Sequence, residues 1–115
     1  YGNTDARTPH LDRLAREGVR FTNAFTPSPV CSPSRATLLA GRYGTEVGIT
    51  DWLNPEENEA GMGLPPELTT WAEALQQAGY RTGLVGKWHL GSKPPFHPTR
   101  QGYGSFLGFL GGGNE

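Results

Sequence analysis

The chain has 115 residues, and 10 basic and 11 acidic side chains give it a formal net charge of −1. This balance excludes a nucleic-acid binder that depends on a clustered basic excess. No apolar run is long enough to span a bilayer, and the single cysteine, Cys31, excludes an internal disulfide and a cysteine-based zinc site. Seventeen glycines and ten prolines indicate a chain rich in loops.

The first predicted elements are a helix and a strand. Thr8-Pro9 is a typical helix start, because Thr can cap free N–H groups and Pro suits the first helical position. Apolar side chains then recur at helical spacing as far as Gly18, which predicts the helix end. Residues 19–25 are rich in β-branched and aromatic side chains, which predicts a short strand.

A second helix and a long loop follow. Ser32-Pro33 repeats the start signal, and residues 34–40 predict a short helix that Gly41 closes. Residues 43–68 predict a loop with scattered acidic side chains. Carboxylates so widely spaced indicate a solvated surface and are weak evidence for a metal site.

The last predicted elements are a third helix, a strand and a loop. Thr70 and Glu73 match a capping box, which predicts a helix that ends at Gly79. Residues 81–86 predict a buried strand, and the Gly-rich residues 91–115 predict a loop. The order of elements predicts an α/β layered fold with a mainly parallel sheet.

Cys31 lies just before the predicted second helix, where free N–H groups and the helix dipole favour negative charge. Arg35 follows one helical turn later and adds a permanent cation. This pattern indicates a site for an anionic reaction centre with a sulfur-bearing side chain in its middle. The alternative is a small buried cysteine beside a structural arginine, because free cysteine is among the most buried residue types.

Two segments carry a family resemblance. Residues 31–42, CSPSRATLLAGR, resemble the signature of the formylglycine-dependent sulfatases, and residues 79–90, GYRTGLVGKWHL, resemble the second signature of that family. The TPHLDRL segment at residues 8–14 and Gly102-Tyr103 are also similar to the N-terminal half of these enzymes. One departure is Gly104, where many relatives have Asp.

The resemblance implies a fold and a domain organisation. It implies a three-layer α/β/α sulfatase domain with a mainly parallel central sheet, in the alkaline phosphatase superfamily. Residues 1–115 would be a partial N-terminal piece of that domain, truncated at both ends. We expect this piece to be inactive by itself. The family resemblance also implies a periplasmic, extracellular or lysosomal location.

The resemblance also implies a chemistry that begins with a modified cysteine. A separate maturation enzyme would read Cys31, Pro33 and Arg35 on the unfolded chain and oxidise the cysteine to formylglycine. The aldehyde hydrates to a geminal diol, and one hydroxyl attacks sulfur and expels the alcohol. Removal of the proton from the second hydroxyl then re-forms the carbonyl group and releases sulfate.

Three further side chains receive roles from the resemblance. Arg35 would stabilise the hydrated aldehyde, and Lys87 would bind both the diol and a sulfate oxygen. His89 would take the proton of the second hydroxyl as a general base. Without the signatures, Lys87 would be interpreted as a strand-end lysine and His89 as a histidine packed beside Trp88.

A metal and a substrate class are implied as well. Such enzymes hold one Ca²⁺ with oxygen ligands; in this chain Cys31, as formylglycine, is the one expected ligand, and the others are expected outside it. The expected activity is arylsulfatase-like hydrolysis of a sulfated small molecule or a sulfated carbohydrate. The alternatives are a phosphonate or phosphate monoester hydrolase of the same superfamily, and a non-catalytic anion-binding homologue with unmodified Cys31.

Overall fold

The computed structural model describes residues 3–113, so residues 1, 2, 114 and 115, which include the end of the predicted C-terminal loop, lie outside it. Its helices are α1 (Pro9–Glu17), α2 (Cys31–Ala40), α3 (Gly44–Val47), α4 (Pro55–Glu59) and α5 (Trp71–Gln77). Its strands are β1 (Gly83–Lys87) and β2 (Ser105–Phe109), with 3₁₀ turns between them at Pro94–Phe96 and Pro98–Arg100. No helix in the described part of the chain is long and apolar enough to cross a membrane.

The two strands form a parallel sheet in which Gly83 pairs with Ser105 and Lys87 with Phe109. Parallel pairing needs a crossover between the strands, and the segment with the two 3₁₀ turns supplies it here. This pairing, together with the surrounding helices, confirms the predicted α/β class. Backbone bonding continues past the strand end, because the His89 N–H donates to the Leu110 carbonyl at 3.0 Å. His89 is therefore fixed at the carboxyl end of β1.

Local sequence signals place two of the helices. α1 begins with Pro9 and ends at Gly18, as predicted, although the Thr8 hydroxyl bonds to the Asp12 side chain and caps no backbone N–H. At α5 the predicted capping box is present: the Glu73 N–H donates to the Thr70 hydroxyl at 3.1 Å, and the Thr70 N–H donates to the Glu73 carboxylate at 2.7 Å.

The predicted strand at residues 19–25 is wrong. Val19, Phe21 and Phe25 are 84%, 78% and 91% exposed, and the segment pairs with no strand among residues 3–113. β-branched and aromatic side chains favour a pleated surface only where a neighbouring strand and a core cover them. Without such neighbours the propensity of this segment produces no strand.

Both predicted loops contain regular structure. Residues 43–68 include α3 and α4, and residues 91–115 include β2. α4 is short, but the Asn54 side chain accepts the Glu57 N–H at 2.8 Å and the Glu57 carboxylate accepts the Asn54 N–H at 3.0 Å. This second capping box is a local signal of a helix start that the sequence itself contains.

The strand predicted at residues 81–86 exists, but its limits and burial differ. β1 begins at Gly83 and ends at Lys87, and Val85 is 80% exposed. The buried apolar side chains instead gather where α2 packs against α3 and α5 and around the segment after β1. This small core contains Ala36, Leu39, Val47, Ile49, Leu53, Leu64, Ala72, Trp88, Leu90 and Tyr103.

Candidate active site

Cys31 is the first residue of α2, and extended Val30 precedes the helix. The helix thus begins earlier than the predicted residue 34, and Cys31 lies inside its first turn. The N–H groups of a first turn have no intrahelical acceptor and carry the positive end of the helix dipole. Cys31 is half-buried, and it lines a cleft of about 420 Å³ together with Arg35. Its surroundings therefore favour an anion.

Arg35 connects the two signature segments. It lies one turn beyond Cys31 on α2, and its Nη1 donates to the backbone carbonyl of Lys87 at 2.8 Å. These residues are 52 positions apart in sequence. A guanidinium has five N–H donors in a fixed plane, so this bond leaves others available and keeps the charge in place.

Lys87 is the last residue of β1. Its Nζ donates to the Gly112 carbonyl at 2.6 Å, which holds the ammonium beside the segment that follows β2. An ammonium has three N–H donors, and the bond to Gly112 uses one of them.

His89 is the most constrained of the site residues. Its backbone has φ +59°, in the left-handed region that residues other than glycine rarely adopt, and its side chain is 1% exposed. Nε2 lies 2.8 Å from the Leu53 carbonyl oxygen. Nδ1 is buried and has no hydrogen-bond partner in the described part of the chain. A strained, buried residue with an unpaired polar atom is typical of a functional position.

The charges around His89 favour its neutral form. Burial is the main cause that lowers its pKa below 6.5; the hydrogen bond to the Leu53 carbonyl opposes this, and the positive charges of Lys87 and Arg35 lower the pKa further. At neutral pH the imidazole is therefore uncharged and able to accept a proton. Lys87 and Arg35 are thus close enough to His89 to affect its charge.

The described residues do not form a calcium site by themselves. No group of three or more His, Cys, Asp or Glu side chains within residues 3–113 could hold a metal ion. Two acidic side chains of the segment predicted as a loop, residues 43–68, have other contacts. Glu57 caps α4, and exposed Glu59 pairs with Lys93 at 2.6 Å. Six to eight oxygen ligands would be needed for Ca²⁺.

A family model described as Sulfatase matches residues 1–115, the whole chain. The chain belongs to the sulfatase family. It is 45% identical to the steryl-sulfatase of Rattus norvegicus, over 94% of this chain and 20% of the rat protein.

Two solved structures are similar to this chain in sequence and in fold. The crystal structure of Ps i-CgsB is 38% identical to this chain and has a TM-score of 0.89. The match covers 99% of this chain and 25% of the Ps i-CgsB chain. The structure of BT4656 in complex with its substrate D-glucosamine-2-N,6-O-disulfate is 37% identical with a TM-score of 0.68, over 91% of this chain and 18% of that one. This sulfatase chain thus spans about a fifth to a quarter of these relatives.

The sulfatase signatures are brought together only in part. Arg35, Lys87 and His89 form one group, and Cys31 joins it through α2. The cleft beside Cys31 is not lined by Lys87 or His89. Sequence analysis missed Leu53 and Gly112, which contact the site through backbone carbonyls and therefore leave no side-chain signal.

Proposed function

We propose that the protein containing this chain is an arylsulfatase-like sulfuric ester hydrolase. The observation that carries the proposal is the Arg35–Lys87 hydrogen bond, because it joins the helix that begins with Cys31 to the strand that leads into His89. Membership of the sulfatase family supports the same activity. The proposed substrate is a sulfated small molecule or a sulfated carbohydrate; the disulfated glucosamine bound by BT4656 supports the carbohydrate class.

Sulfatases as a family use formylglycine and Ca²⁺, and Cys31 is the proposed site of the formylglycine. Its half-buried place in the first turn of α2 fits a group that carries negative charge during the reaction. As its hydrate, formylglycine supplies one hydroxyl that attacks sulfur and a second that allows sulfate to be released. Cys31, Pro33 and Arg35 are the proposed recognition points of a maturation enzyme.

Each neighbouring side chain has a proposed part. Arg35 places a fixed positive charge one turn from residue 31, which offsets negative charge there. Lys87, held by the Gly112 carbonyl, directs its remaining N–H donors to a sulfate oxygen and stabilises the charge that develops during transfer. Neutral His89 accepts a proton as general base.

The metal and the location of the protein are proposed with this function. One Ca²⁺ per site would polarise the sulfate group. Most of the ligands that hold this metal ion would lie outside residues 3–113. The proposed location is the periplasm, the cell exterior or the lysosome.

Turnover of paired aryl sulfate and aryl phosphate esters by the intact protein tests the proposal. We expect the sulfate ester to be hydrolysed faster, with Cys31→Ala inactive. Cys31→Ser is the matched control, because its single hydroxyl can attack sulfur but has no second hydroxyl to expel sulfate. Faster phosphate hydrolysis, or full activity with an unmodified thiol, would contradict the proposal.

A further inference from the structure

The Leu53 carbonyl determines which nitrogen of His89 carries the proton. A carbonyl oxygen has no proton to give, so the 2.8 Å contact with Nε2 requires an N–H on Nε2. A neutral imidazole holds one ring proton. Nδ1 is then left with an unshared lone pair, in a side chain that is 1% exposed.

The Leu53 peptide is held on both of its sides. Its N–H donates to the hydroxyl of Ser32 at 3.0 Å, and Ser32 is completely buried beside Cys31. Its carbonyl also accepts the side-chain N–H of Asn58 at 3.2 Å. Because the Leu53 side chain is itself buried in the core, this peptide has little freedom to rotate.

Asn58 is placed for this contact by α4. It is 8% exposed, and the same Nδ2 that reaches Leu53 also donates to the Asn54 carbonyl at 3.1 Å. Two carbonyls therefore fix the direction of the amide group, and the amide in turn fixes the Leu53 carbonyl that faces His89.

Nδ1 of His89 is the atom that this arrangement leaves unused. A buried nitrogen without a partner is unfavourable, and native structures keep few of them. The left-handed backbone of His89 is a second unfavourable feature at the same residue. The unpaired nitrogen is explained if Nδ1 is reserved for a proton that arrives during the reaction, and the strained backbone marks the same residue as a functional position.

We propose that Ser32 and Asn58 are positioning residues that act through the Leu53 peptide to hold His89 in the Nε2-protonated tautomer, so that Nδ1 is the basic atom. The identity of the reaction rests on the proposed function. In the proton transfer an O–H bond breaks, an Nδ1–H bond forms, and the electron pair stays on the oxygen. The imidazolium that results remains bonded to Leu53 through Nε2–H.

The tautomer can be measured directly in the intact protein labelled with [¹⁵N]histidine. We expect the ¹⁵N spectrum at neutral pH to show His89 Nδ1 as the unprotonated, pyridine-type nitrogen and Nε2 as the protonated, pyrrole-type nitrogen. His89→Gln identifies the signals by their loss. Protonated Nδ1 in the unaltered protein would overturn the inference. This measurement needs no turnover. An inactive protein would therefore contradict the proposed function, while the spectrum would still show which nitrogen of His89 carries the proton.

Asn58→Ala tests whether Asn58 positions His89. The readout is the tautomer of His89, which a merely structural role of Asn58 would not change. We expect the proportion of the Nδ1-protonated tautomer to rise and kcat to fall by roughly 10- to 100-fold, the range found for groups that orient metal-bound histidines, with little change in KM. Asn54→Ala is the matched control, because it removes the α4 cap and keeps the backbone carbonyl to which Asn58 donates. Equal tautomer proportions in the two variants would contradict a positioning role. If Asn58→Ala does not fold, Asn58→Asp takes its place in the same comparison, because it keeps the size of the side chain and removes the Nδ2 donor to the Leu53 carbonyl.

Discussion

Gly112 lies against the imidazole ring of His89. A methyl group on its Cα would stand 2.9 Å from Cε1 and 3.0 Å from Nε2 of the ring. The carbonyl of the same residue accepts the Lys87 ammonium at 2.6 Å. One peptide unit thus contacts both proposed catalytic side chains, and a side chain at position 112 would disturb them together.

Replacement of Gly112 by Ala should reduce kcat of the intact protein by roughly 10- to 100-fold, because misplacement of a reacting group by about 1 Å has effects of this size. Gly111→Ala and Gly113→Ala are matched controls. Neither glycine has a positive φ, and a methyl group at either meets nothing within 4 Å. Steady-state kinetics of the three variants check the prediction, and equal rates would show that the Gly112 contact is irrelevant.

The pH dependence of activity should follow His89. Its pKa lies below 6.5, so the neutral base is present at neutral pH and is lost only as the pH falls below that value. We expect the acid limb of the kcat profile below pH 6.5, and its disappearance in His89→Gln. An acid limb above pH 6.5 that His89→Gln leaves in place would assign it to another group.

Stability should respond in the same pH range. In the unfolded state His89 is protonated at a higher pH than in the folded state. The contribution of neutral His89 to the free energy of unfolding is therefore complete above about pH 6.5. It decreases as the pH falls from 6.5 towards the lowered pKa. Thermal unfolding checks this prediction. Between pH 7.5 and about pH 5, the Tm of the unaltered intact protein should fall more steeply than the Tm of the His89→Gln variant.

Lys87 and His89 should fail at different steps. Lys87→Ala should slow release of the first alcohol by roughly 10²- to 10³-fold, because the charge that develops on the sulfuryl group loses its partner. His89→Ala should release one equivalent of alcohol in a burst and then turn over slowly, because the later proton removal is impaired. Rapid-quench measurement of the first turnover distinguishes the two.

Lys93→Ala is the control for these lysine effects, since Lys93 pairs with exposed Glu59 at the surface. It should behave as the unaltered protein does. A burst in Lys87→Ala and none in His89→Ala would show that the two roles are reversed.

Conversion of Cys31 to formylglycine should depend on Arg35. Peptide mass spectrometry of the protein made with a maturation enzyme should show oxygen in place of sulfur at residue 31. Because the motif would be read before folding, Arg35→Ala should lower the aldehyde content itself. Arg42→Ala, which changes an exposed arginine just after α2, should leave the content unchanged. Full conversion in Arg35→Ala would contradict recognition of this residue.

The fold was predictable where the cause of an element is local. The capping box of α5 needs only Thr70 and Glu73, which are neighbours in sequence, and it forms as predicted. β2 was not predicted because it forms by pairing with β1, and the crossover segment separates the two strands in the sequence. The segment at 19–25 has the reverse property: its composition favours a strand, but no neighbour among the described residues completes one.

The site shows the same division between local and distant causes. Spacing alone placed Cys31 and Arg35 one helical turn apart, and the structure has them on one helix. The carbonyls of Leu53 and Gly112 could not be predicted, because every residue has a carbonyl and only the fold decides which ones face a histidine or a lysine. The left-handed backbone of His89 likewise has no signal in the sequence, because residues other than glycine rarely adopt that conformation.

The bond between Arg35 and the Lys87 carbonyl has a consequence for the order of events during synthesis. Its two ends are 52 residues apart, so at typical elongation rates the acceptor is made roughly 3 to 10 s after the donor. β1 then waits for β2 before it can pair. For that interval the guanidinium is not engaged by Lys87, and the proposed maturation enzyme would meet it without competition from that bond. Once the strands have paired, the same arginine belongs to the folded site.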